Sequence, residues 1–197
     1  MIPVTLASES RARGALLRAA GVDCAQMASG VDEAAVKVFL ARDQADPATV
    51  AAVLADRKAL EVSRRAPGLV VGADQTLDLD GVVHDKTESL EATRRRLLQL
   101  RGRSHRLHAA VSLALEGEVI WRHLASATLT MRDFSEAFLE DYLSRHGEAV
   151  GSSVGAYHLE AEGIQLFTAI EGDYFAILGL PMIPLLAALR SFQAMPT

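Results

Sequence analysis

The chain has 197 residues, of which 50% are hydrophobic and 23% are charged, so it is long enough to bury a core of its own. Its 20 Lys and Arg residues stand against 25 Asp and Glu residues, a formal net charge of -5. This acidic balance excludes a general attraction to nucleic acid or to an anionic membrane surface. The single cysteine, Cys24, excludes an internal disulfide, and six scattered histidines favour no soft-metal cluster.

The sequence lacks the features of a targeting or membrane segment. Its first residues have no basic region and no uninterrupted apolar run, so they do not resemble a signal peptide. The best membrane candidate, residues 175–189, contains Pro181 and Pro184 and is shorter than the roughly 18 to 20 residues of a spanning helix. We therefore expect a cytoplasmic protein without membrane contact, and we predict one continuous domain over residues 1–197.

Strands and helices are predicted to alternate along the first half of the chain. Ser10 is placed to cap a first helix, and Asp46 is placed to cap a longer one that ends at residues 67–68. Asp80 and Gly81 form the dipeptide expected at a tight hairpin. The predicted strands of this half are residues 2–7, 22–27, 69–74, 76–79 and 82–84.

The second half continues the alternation and completes an α/β pattern. Apolar residues at every second position predict a long strand over residues 107–115, which Gly117 turns into a second strand over residues 119–131. Two further strands are predicted near residues 164–170 and 175–178. Helices are predicted over residues 88–100 and 135–146, and a terminal helix begins at Pro181. The order of elements predicts the α/β class.

The first strand-to-helix junction is a candidate phosphate site. Ser8, Ser10 and Arg13 stand where the amide groups at a helix start point outward, and such a start binds phosphate. The alternative is that Ser10 only caps the helix and the arginine faces water. The junction alone leaves both readings open.

The lysines are informative because the chain has only three, Lys37, Lys58 and Lys86, beside 17 arginines. Lys58 interrupts an apolar ladder with a period of four residues, formed with Val50 and Leu54, so its ammonium either faces a pocket or extends along its stem to solvent. Lys86 follows the hairpin. The glycines that a P-loop requires before such a lysine are absent, so that motif is excluded.

Two acidic residues are candidates for catalysis. Asp74 follows an apolar run that should be buried, and an acid at the carboxyl end of a strand is a candidate general base or metal ligand. The alternative is an Asp that starts a turn. Glu33 is predicted to lie in a loop, where an isolated acid is most often solvated.

Ser153 offers a competing interpretation, since Gly151, Ser153 and Gly155 match the pattern of a nucleophile elbow. That pattern would make the chain a serine acyl hydrolase. No buried strand precedes the serine, however, and His158 comes before the later acid Asp173, contrary to the usual order in that fold.

Short motifs along nearly the whole sequence resemble those of the Maf nucleotide pyrophosphatases. The order and spacing of the motifs are specific, although each is short. They are residues 6–13 (LASESRAR), 31–33 (VDE), 55–59 (ADRKA), 72–75 (GADQ), 85–86 (DK), 102–105 (GRSH), 155–157 (GAY), 170–174 (IEGDY) and 179–181 (GLP). The sequence departs from the family pattern at residues 11–12, at Thr87 and at residues 152–153.

The resemblance implies a fold like that of the inosine triphosphatases, a mixed twisted sheet with flanking helices and a central cleft. It implies cleavage of a nucleoside triphosphate to the monophosphate and pyrophosphate with a divalent metal, Mg²⁺ or Mn²⁺. The implied catalytic residues are Asp74 as general base with Glu33, Lys58 and Lys86, and the implied metal ligands are Asp74 and Glu33. The implied substrate-binding residues are Ser8, Ser10, Arg13 and Gln75.

Gln75 stands where many members of the family carry Thr. At this position the sequence resembles the subgroup associated with 7-methyl-GTP. A nucleotide-binding regulator of cell division that lacks turnover is the alternative that the family's history suggests. The sequence leaves open the preferred base, the metal, the physiological role and whether the chain forms a homodimer.

Overall fold

The computed structural model describes residues 1–196, and within them seven strands form one mixed sheet in the order β2-β1-β3-β5-β6-β7, with β4 paired to β3. β1 runs parallel to β2 and β3, and the other pairs are antiparallel. The strands are β1 (Val4–Ala7), β2 (Cys24–Gln26), β3 (Leu69–Leu79), β4 (Val82–His84), β5 (Ser104–Leu115), β6 (Glu118–Met131) and β7 (Phe167–Glu171).

Seven α-helices flank the sheet in the described part of the chain, and a 3₁₀ turn, Glu162–Leu166, precedes β7. The helices are α1 (Arg11–Ala19), α2 (Glu33–Arg42), α3 (Pro47–Ser63), α4 (Leu90–Leu100), α5 (Glu136–Val150), α6 (Tyr174–Ile177) and α7 (Met182–Ser191). None of the helices in residues 1–196 is both long enough and apolar enough to cross a membrane.

Polar side chains define the starts of the helices that the sequence predicted. Ser10, Asp46, Ser89 and Ser135 each accept a hydrogen bond from the backbone N–H three residues later. Such caps satisfy one of the backbone donors that a helix start leaves unpaired. The predicted helices α1, α3, α4 and α5 are therefore confirmed, within a few residues at their ends.

The two faces of β3 pack against different helices because its side chains alternate. Leu69 and Val71 belong to the core on the α1 and α7 side, together with Leu17 and Leu185. Val70, on the other face, packs with residues of α3. A larger core lies between the far end of β3 and helices α4 and α5. The class predicted from the sequence, an α/β protein with a mixed sheet and flanking helices, is confirmed.

The sheet has a gap along one edge of β3, at the middle of this strand. On one edge of this strand, β1 pairs as far as Gly72 and β4 begins at Leu77, so residues 73–76 lack a strand neighbour there. On the other edge β5 pairs continuously with β3 through this region. The gap exposes one edge of the strand at Asp74, between the β1–β2 part of the sheet and the β4 hairpin.

Four predictions differ from the structure. The strand predicted near residues 164–170 begins only at Phe167, because residues 162–166 form a 3₁₀ turn. Asp74 does not end a short strand or start a turn, because β3 continues through it to Leu79. Glu33 is not in a loop but is the first residue of α2, a helix that the sequence analysis missed. Residues 175–178 are not a strand, since Asp173 caps a short helix there through its side chain.

Candidate active site

Lys58 lies between two carboxylates beside the gap in the sheet. Its Nζ is 2.6 Å from Asp74 Oδ1 and 2.7 Å from Glu33 Oε1. Lys58 and Asp74 are each only 6% exposed, whereas the Glu33 side chain is 44% exposed. The apolar ladder of α3 therefore points the lysine into the protein rather than to solvent. Three residues from separate elements meet at one ammonium group.

Close packing of α3 on β3 brings Lys58 to Asp74. A Cβ placed on Gly72 would lie 2.2 Å from the Ala55 carbonyl oxygen and 2.5 Å from the Ala59 nitrogen, so only glycine permits this approach. Lys58 lies between those two alanines on α3, and Asp74 lies two residues from Gly72 on the same face of β3. One glycine thus sets the distance between helix and strand at the site.

Glu33 reaches the same ammonium from the start of α2. Asp32 caps this helix by accepting from the Ala35 N–H at 2.9 Å, which fixes the direction of its first turn. No residue of α2 is buried. The helix therefore supplies a carboxylate to the site without being packed into the core.

The pKa values of the two carboxyl groups are shifted in opposite directions. Burial raises the pKa of Asp74, against the lowering effect of the Lys58 and Arg13 charges. Partial burial also raises the pKa of Glu33, but the hydrogen bond and charge of Lys58, with the charges of Lys37 and Arg13, lower it on balance. Asp74 is consequently the better proton acceptor of the pair, and Glu33 is the more firmly ionised group.

One oxygen of Asp74 is available to solvent or substrate. Oδ1 accepts from Lys58, and among residues 1–196 no group donates a hydrogen bond to Oδ2. An ionised carboxylate has about four acceptor positions, so the free oxygen can accept a hydrogen from a water molecule. This arrangement suits a general base that is held by one oxygen and reactive at the other.

Arg13 and the two serines lie at the start of α1, as the sequence predicted. Arg13 donates from Nε to the Gly179 carbonyl and from Nη1 to the Ala73 carbonyl, both at 2.9 Å, and Nη1 lies 3.3 Å from Ser8 Oγ. Burial lowers the pKa of Arg13, while Asp74 and Glu33 raise it. Ser10 acts as the helix cap. The guanidinium therefore joins α1 to the unpaired edge of β3, immediately before Asp74.

Gln75 lies on the opposite face of β3 from Asp74. Its Nε2 donates at 2.9 Å to the carbonyl groups of Ala176 and Ile177 in α6. Both hydrogens of the amide are therefore used within the protein, and Oε1 remains as an acceptor. The structure brings Gln75 to α6 and not to the Lys58 cluster, so its substrate-binding role stays a prediction.

Lys86 lies in the exposed loop after β4, and in the described residues it forms no ion pair. It lines a polar cavity of about 470 Å³ together with Arg96 and the start of α4. Sequence reasoning missed the two residues that hold this loop. Lys37 pairs with the Asp85 carboxylate, and Arg96 donates to the Asp85 carbonyl at 3.0 Å. The four-residue spacing of Glu33 and Lys37 on one helix was the signal that could have indicated Lys37.

A family model described as Maf-like protein matches residues 3–192. The chain belongs to the Maf family. A relative from Caulobacter vibrioides, named nucleoside triphosphate pyrophosphatase, is 52% identical over 99% of this chain and 98% of its own length. Relatives from Brucella abortus and Mesorhizobium japonicum, both named 7-methyl-GTP pyrophosphatase, are 46% and 48% identical and cover 96% and 97% of this chain and 96% of their own length.

The Maf-family resemblance inferred from short motifs is thus confirmed, and several of those motifs contribute to the cluster. Asp74, Lys58, Glu33 and Arg13 come together around the gap in the sheet. Ser153, the candidate of the competing hydrolase interpretation, has another role. Its Oγ lies 2.8 Å from the Tyr157 carbonyl and accepts from the Tyr157 N–H at 3.0 Å, so it stabilises a turn. Helix α5, and not a strand, comes directly before this serine.

The oxygen donors beside Lys58 fit a hard divalent cation that is shared with phosphate. Among the side chains that the structure describes, no group of three His, Cys, Asp or Glu residues is arranged to hold a metal by itself. Mg²⁺ is commonly bound by only one or two carboxylates together with substrate phosphates and water. Glu33 and Asp74, both within hydrogen-bond distance of one ammonium, offer carboxylate oxygens of the kind that such a site uses.

Proposed function

We propose that this Maf-family chain hydrolyses a nucleoside triphosphate to the monophosphate and pyrophosphate. The observation that carries the proposal is the buried Lys58, which holds Asp74 and Glu33 together beside the gap in the sheet. The names of relatives that match nearly the full chain support the reaction class. In this proposal the attacking water meets the α-phosphorus.

Asp74 is proposed as the general base. Lys58 holds Oδ1, and Oδ2 accepts the proton of the attacking water, so the geometry requires no movement of the carboxylate. The pKa of Asp74 is raised by burial, which makes this carboxylate a stronger base than an exposed aspartate. Glu33, with its lowered pKa, stays ionised and balances the charge of Lys58.

Cations must offset the carboxylates before a triphosphate can bind. Two like unit charges 4 Å apart repel by roughly 4 kcal/mol at an effective dielectric constant of 20, so an acidic site alone would repel the substrate. We propose Lys58, Lys86 and Arg13 as the compensating cations, with Ser8 and Ser10 at the helix start that receives phosphate. Cations placed near the leaving pyrophosphate stabilise the charge that develops on it.

A divalent metal, Mg²⁺ or Mn²⁺, is proposed as the cofactor, with Asp74 and Glu33 as its protein ligands. When bound, such an ion neutralises negative charge on phosphate oxygens and orients them. Lys58 remains the group that holds both carboxylates in place.

A modified guanine nucleotide such as 7-methyl-GTP is the proposed substrate class. Two relatives are named 7-methyl-GTP pyrophosphatase. Gln75 is the residue by which this sequence resembles the subgroup associated with 7-methyl-GTP. Because both amide hydrogens of Gln75 are used within the protein, this side chain can offer a ligand only the acceptor Oε1.

The test is pyrophosphate release from 7-methyl-GTP, GTP, CTP, UTP and dTTP, with Mg²⁺ or Mn²⁺ and a coupled inorganic pyrophosphatase. Asp74→Asn removes the base, and Asp78→Asn is the matched control because Asp78 is a buried aspartate on the same strand, 9% exposed and hydrogen-bonded to Gly81. We expect turnover by the wild type and by Asp78→Asn, and a loss of at least about 100-fold for Asp74→Asn. Nucleotide binding without any turnover by the wild type would favour a regulatory role instead.

A further inference from the structure

The loop that carries Lys86 is held in place at the preceding residue, Asp85. The carboxylate of Asp85 pairs with Lys37, and the Asp85 main-chain carbonyl accepts from Arg96 Nη1 at 3.0 Å. The same Arg96 nitrogen donates to the Val154 carbonyl at 2.7 Å. Asp85 is therefore held by α2 through its side chain and by α4 through its backbone.

Lys37 lies one turn beyond Glu33 on α2. Four residues of an α-helix rise about 6 Å, so the two side chains leave the same face of the helix one above the other. Glu33 binds Lys58, and Lys37 binds Asp85. One exposed helix thus makes two ionic contacts, one with the buried cluster and one with the loop of Lys86.

We propose that the Lys37–Asp85 ion pair is a positioning device that holds the Lys86 ammonium in register with Glu33 and Lys58. This inference rests on the proposed function, in which Lys86 binds the phosphates of the substrate. Lys86 is exposed and makes no ion pair in the described part of the chain, so the position of its ammonium depends on how the loop is held at Asp85. Preorganising such a group avoids the entropic cost of ordering it on binding.

Asp85 is the better position for a test than Lys37. The charge of Lys37 also lowers the pKa of Glu33, so a change at Lys37 alters the buried cluster as well as the loop. Asp85→Asn removes the ionic partner and keeps Lys37 beside Glu33. Its side chain is 64% exposed, so the substitution should leave the melting temperature unchanged, which circular dichroism checks.

The experiment is a pair of double-mutant cycles. The first combines Asp85→Asn with Lys86→Ala, and the second combines Asp85→Asn with Lys37→Gln. Each variant is measured by kcat/KM on the nucleotide that the wild type hydrolyses fastest, and by calorimetric binding of inorganic pyrophosphate with Mg²⁺. Arg94→Gln is the matched control, because Arg94 and Glu140 form an ion pair of similar exposure between α4 and α5.

We expect Asp85→Asn to lower kcat/KM and pyrophosphate affinity by about fivefold, and to have no effect once Lys86 is alanine. The loss from Lys37→Gln and Asp85→Asn together should be smaller than the product of the two single losses. A full Asp85→Asn loss in the Lys86→Ala background would overturn the proposal, as would an equal loss for Arg94→Gln. If the wild type hydrolyses no nucleotide, the proposed function fails, and the pyrophosphate cycle still decides the role of the pair.

Discussion

Asp74 and Glu33 bind the same ammonium group and yet differ in their burial. Asp74 is 6% exposed and its pKa is raised, whereas Glu33 is partly solvated and its pKa is lowered on balance by nearby cations. In the proposed mechanism, this difference makes Asp74 the base and Glu33 the charge-balancing carboxylate, although both are carboxyl groups. The site therefore depends on how deeply each acid is placed, which follows from strand β3 and from the exposed helix α2.

The pH dependence of kcat/KM follows from Asp74. Because burial raises its pKa, the carboxylate form needed for a base is lost, as pH falls, above the usual aspartate value of 3.8. We expect the acid limb of the wild-type profile to have its midpoint above that value. Lys58→Met removes a lowering contribution and should move the midpoint of the residual activity further upward. A rate that stays constant down to pH 4 would contradict the assignment of Asp74 as the base.

At the level of single residues, sequence reasoning could predict the buried part of the site. Lys58 interrupts an apolar ladder and Asp74 follows an apolar run, so both are conspicuous in the sequence. The partner of Lys37, Asp85, lies 48 residues further along the chain, so the spacing from Glu33 alone did not reveal the ion pair. Arg96 was missed because it donates to backbone carbonyl groups, which leave no local pattern. The roles of Ser8, Ser10, Gln75 and Lys86 in substrate binding stay predictions.

Helix α3 and strand β3 approach each other closely at one glycine. A Cβ at position 72 would meet the backbone of α3 at 2.2 Å, so Gly72→Ala must push the helix away from the strand. We expect a loss of about 1–3 kcal/mol in the free energy of unfolding, measured by urea denaturation, and reduced kcat/KM because Lys58 moves from Asp74.

Gly21→Ala is the control for a loss of stability that does not move α3. Gly21 has a φ of 75° and open space around it, so alanine there introduces backbone strain without a clash. Its kcat/KM should stay at the wild-type value, although its stability falls by about 1 kcal/mol. If Gly72→Ala kept full activity, close packing of α3 would not be what places Lys58.

Helix α2 is held by its cap and by two ion pairs instead of by a core. No residue of it is buried, so we expect its amides to exchange hydrogen faster than those of α3, many of whose residues are buried. Asp32→Ala removes the cap and should destabilise α2 by about 1 kcal/mol. Hydrogen exchange followed by mass spectrometry should show faster exchange confined to α2, and exchange that spread to α3 would contradict this account.

The sequence predicted long, capped elements well and weakly packed ones poorly. α3 and α5 begin at clear caps, and in β5 and β6 apolar residues recur at about every second position. α2 was missed because its hydrophobic residues do not form one buried stripe. Residues 175–178 were assigned to a strand, since four apolar residues fit either state until the Asp173 cap is recognised.

Acid should destabilise the whole molecule through His105. Its ring is 2% exposed and hydrogen-bonded to Tyr157 at 2.7 Å, and burial, with the charge of Arg96, lowers its pKa to about 4. Because the unfolded chain protonates this ring near pH 6.5, the stability that the neutral ring contributes is lost as pH falls from 6.5 towards 4. The full loss is about 3 kcal/mol.

Urea unfolding at pH 7 and pH 4.5, for the wild type and for His105→Asn, measures this contribution. The variant should lose stability at pH 7 but show a shallower dependence on pH than the wild type. Equal slopes for the two proteins would contradict the role of His105. Other groups also titrate between pH 4.5 and pH 7, and their contribution to the pH dependence cancels when the two proteins are compared.

At the scale of the whole fold, the sequence alone indicated the α/β class but not the sheet order. The alternation of strands and helices is local, whereas the pairing of β3 with β1, β4 and β5 joins residues far apart in the chain. The mixed sheet was predicted by the family resemblance, which the match over residues 3–192 confirms. The gap beside β3 at residues 73–76 depends on where β1 ends and β4 begins, and no local pattern fixes both.

Hydrolysis in ¹⁸O-labelled water shows whether the activated water attacks the α-phosphorus. The label enters the product that contains the attacked phosphorus, so mass spectrometry of the two products identifies the bond that breaks. We expect ¹⁸O in the nucleoside monophosphate and none in the pyrophosphate. Label in the pyrophosphate would contradict it, because the water would then have attacked the β-phosphorus.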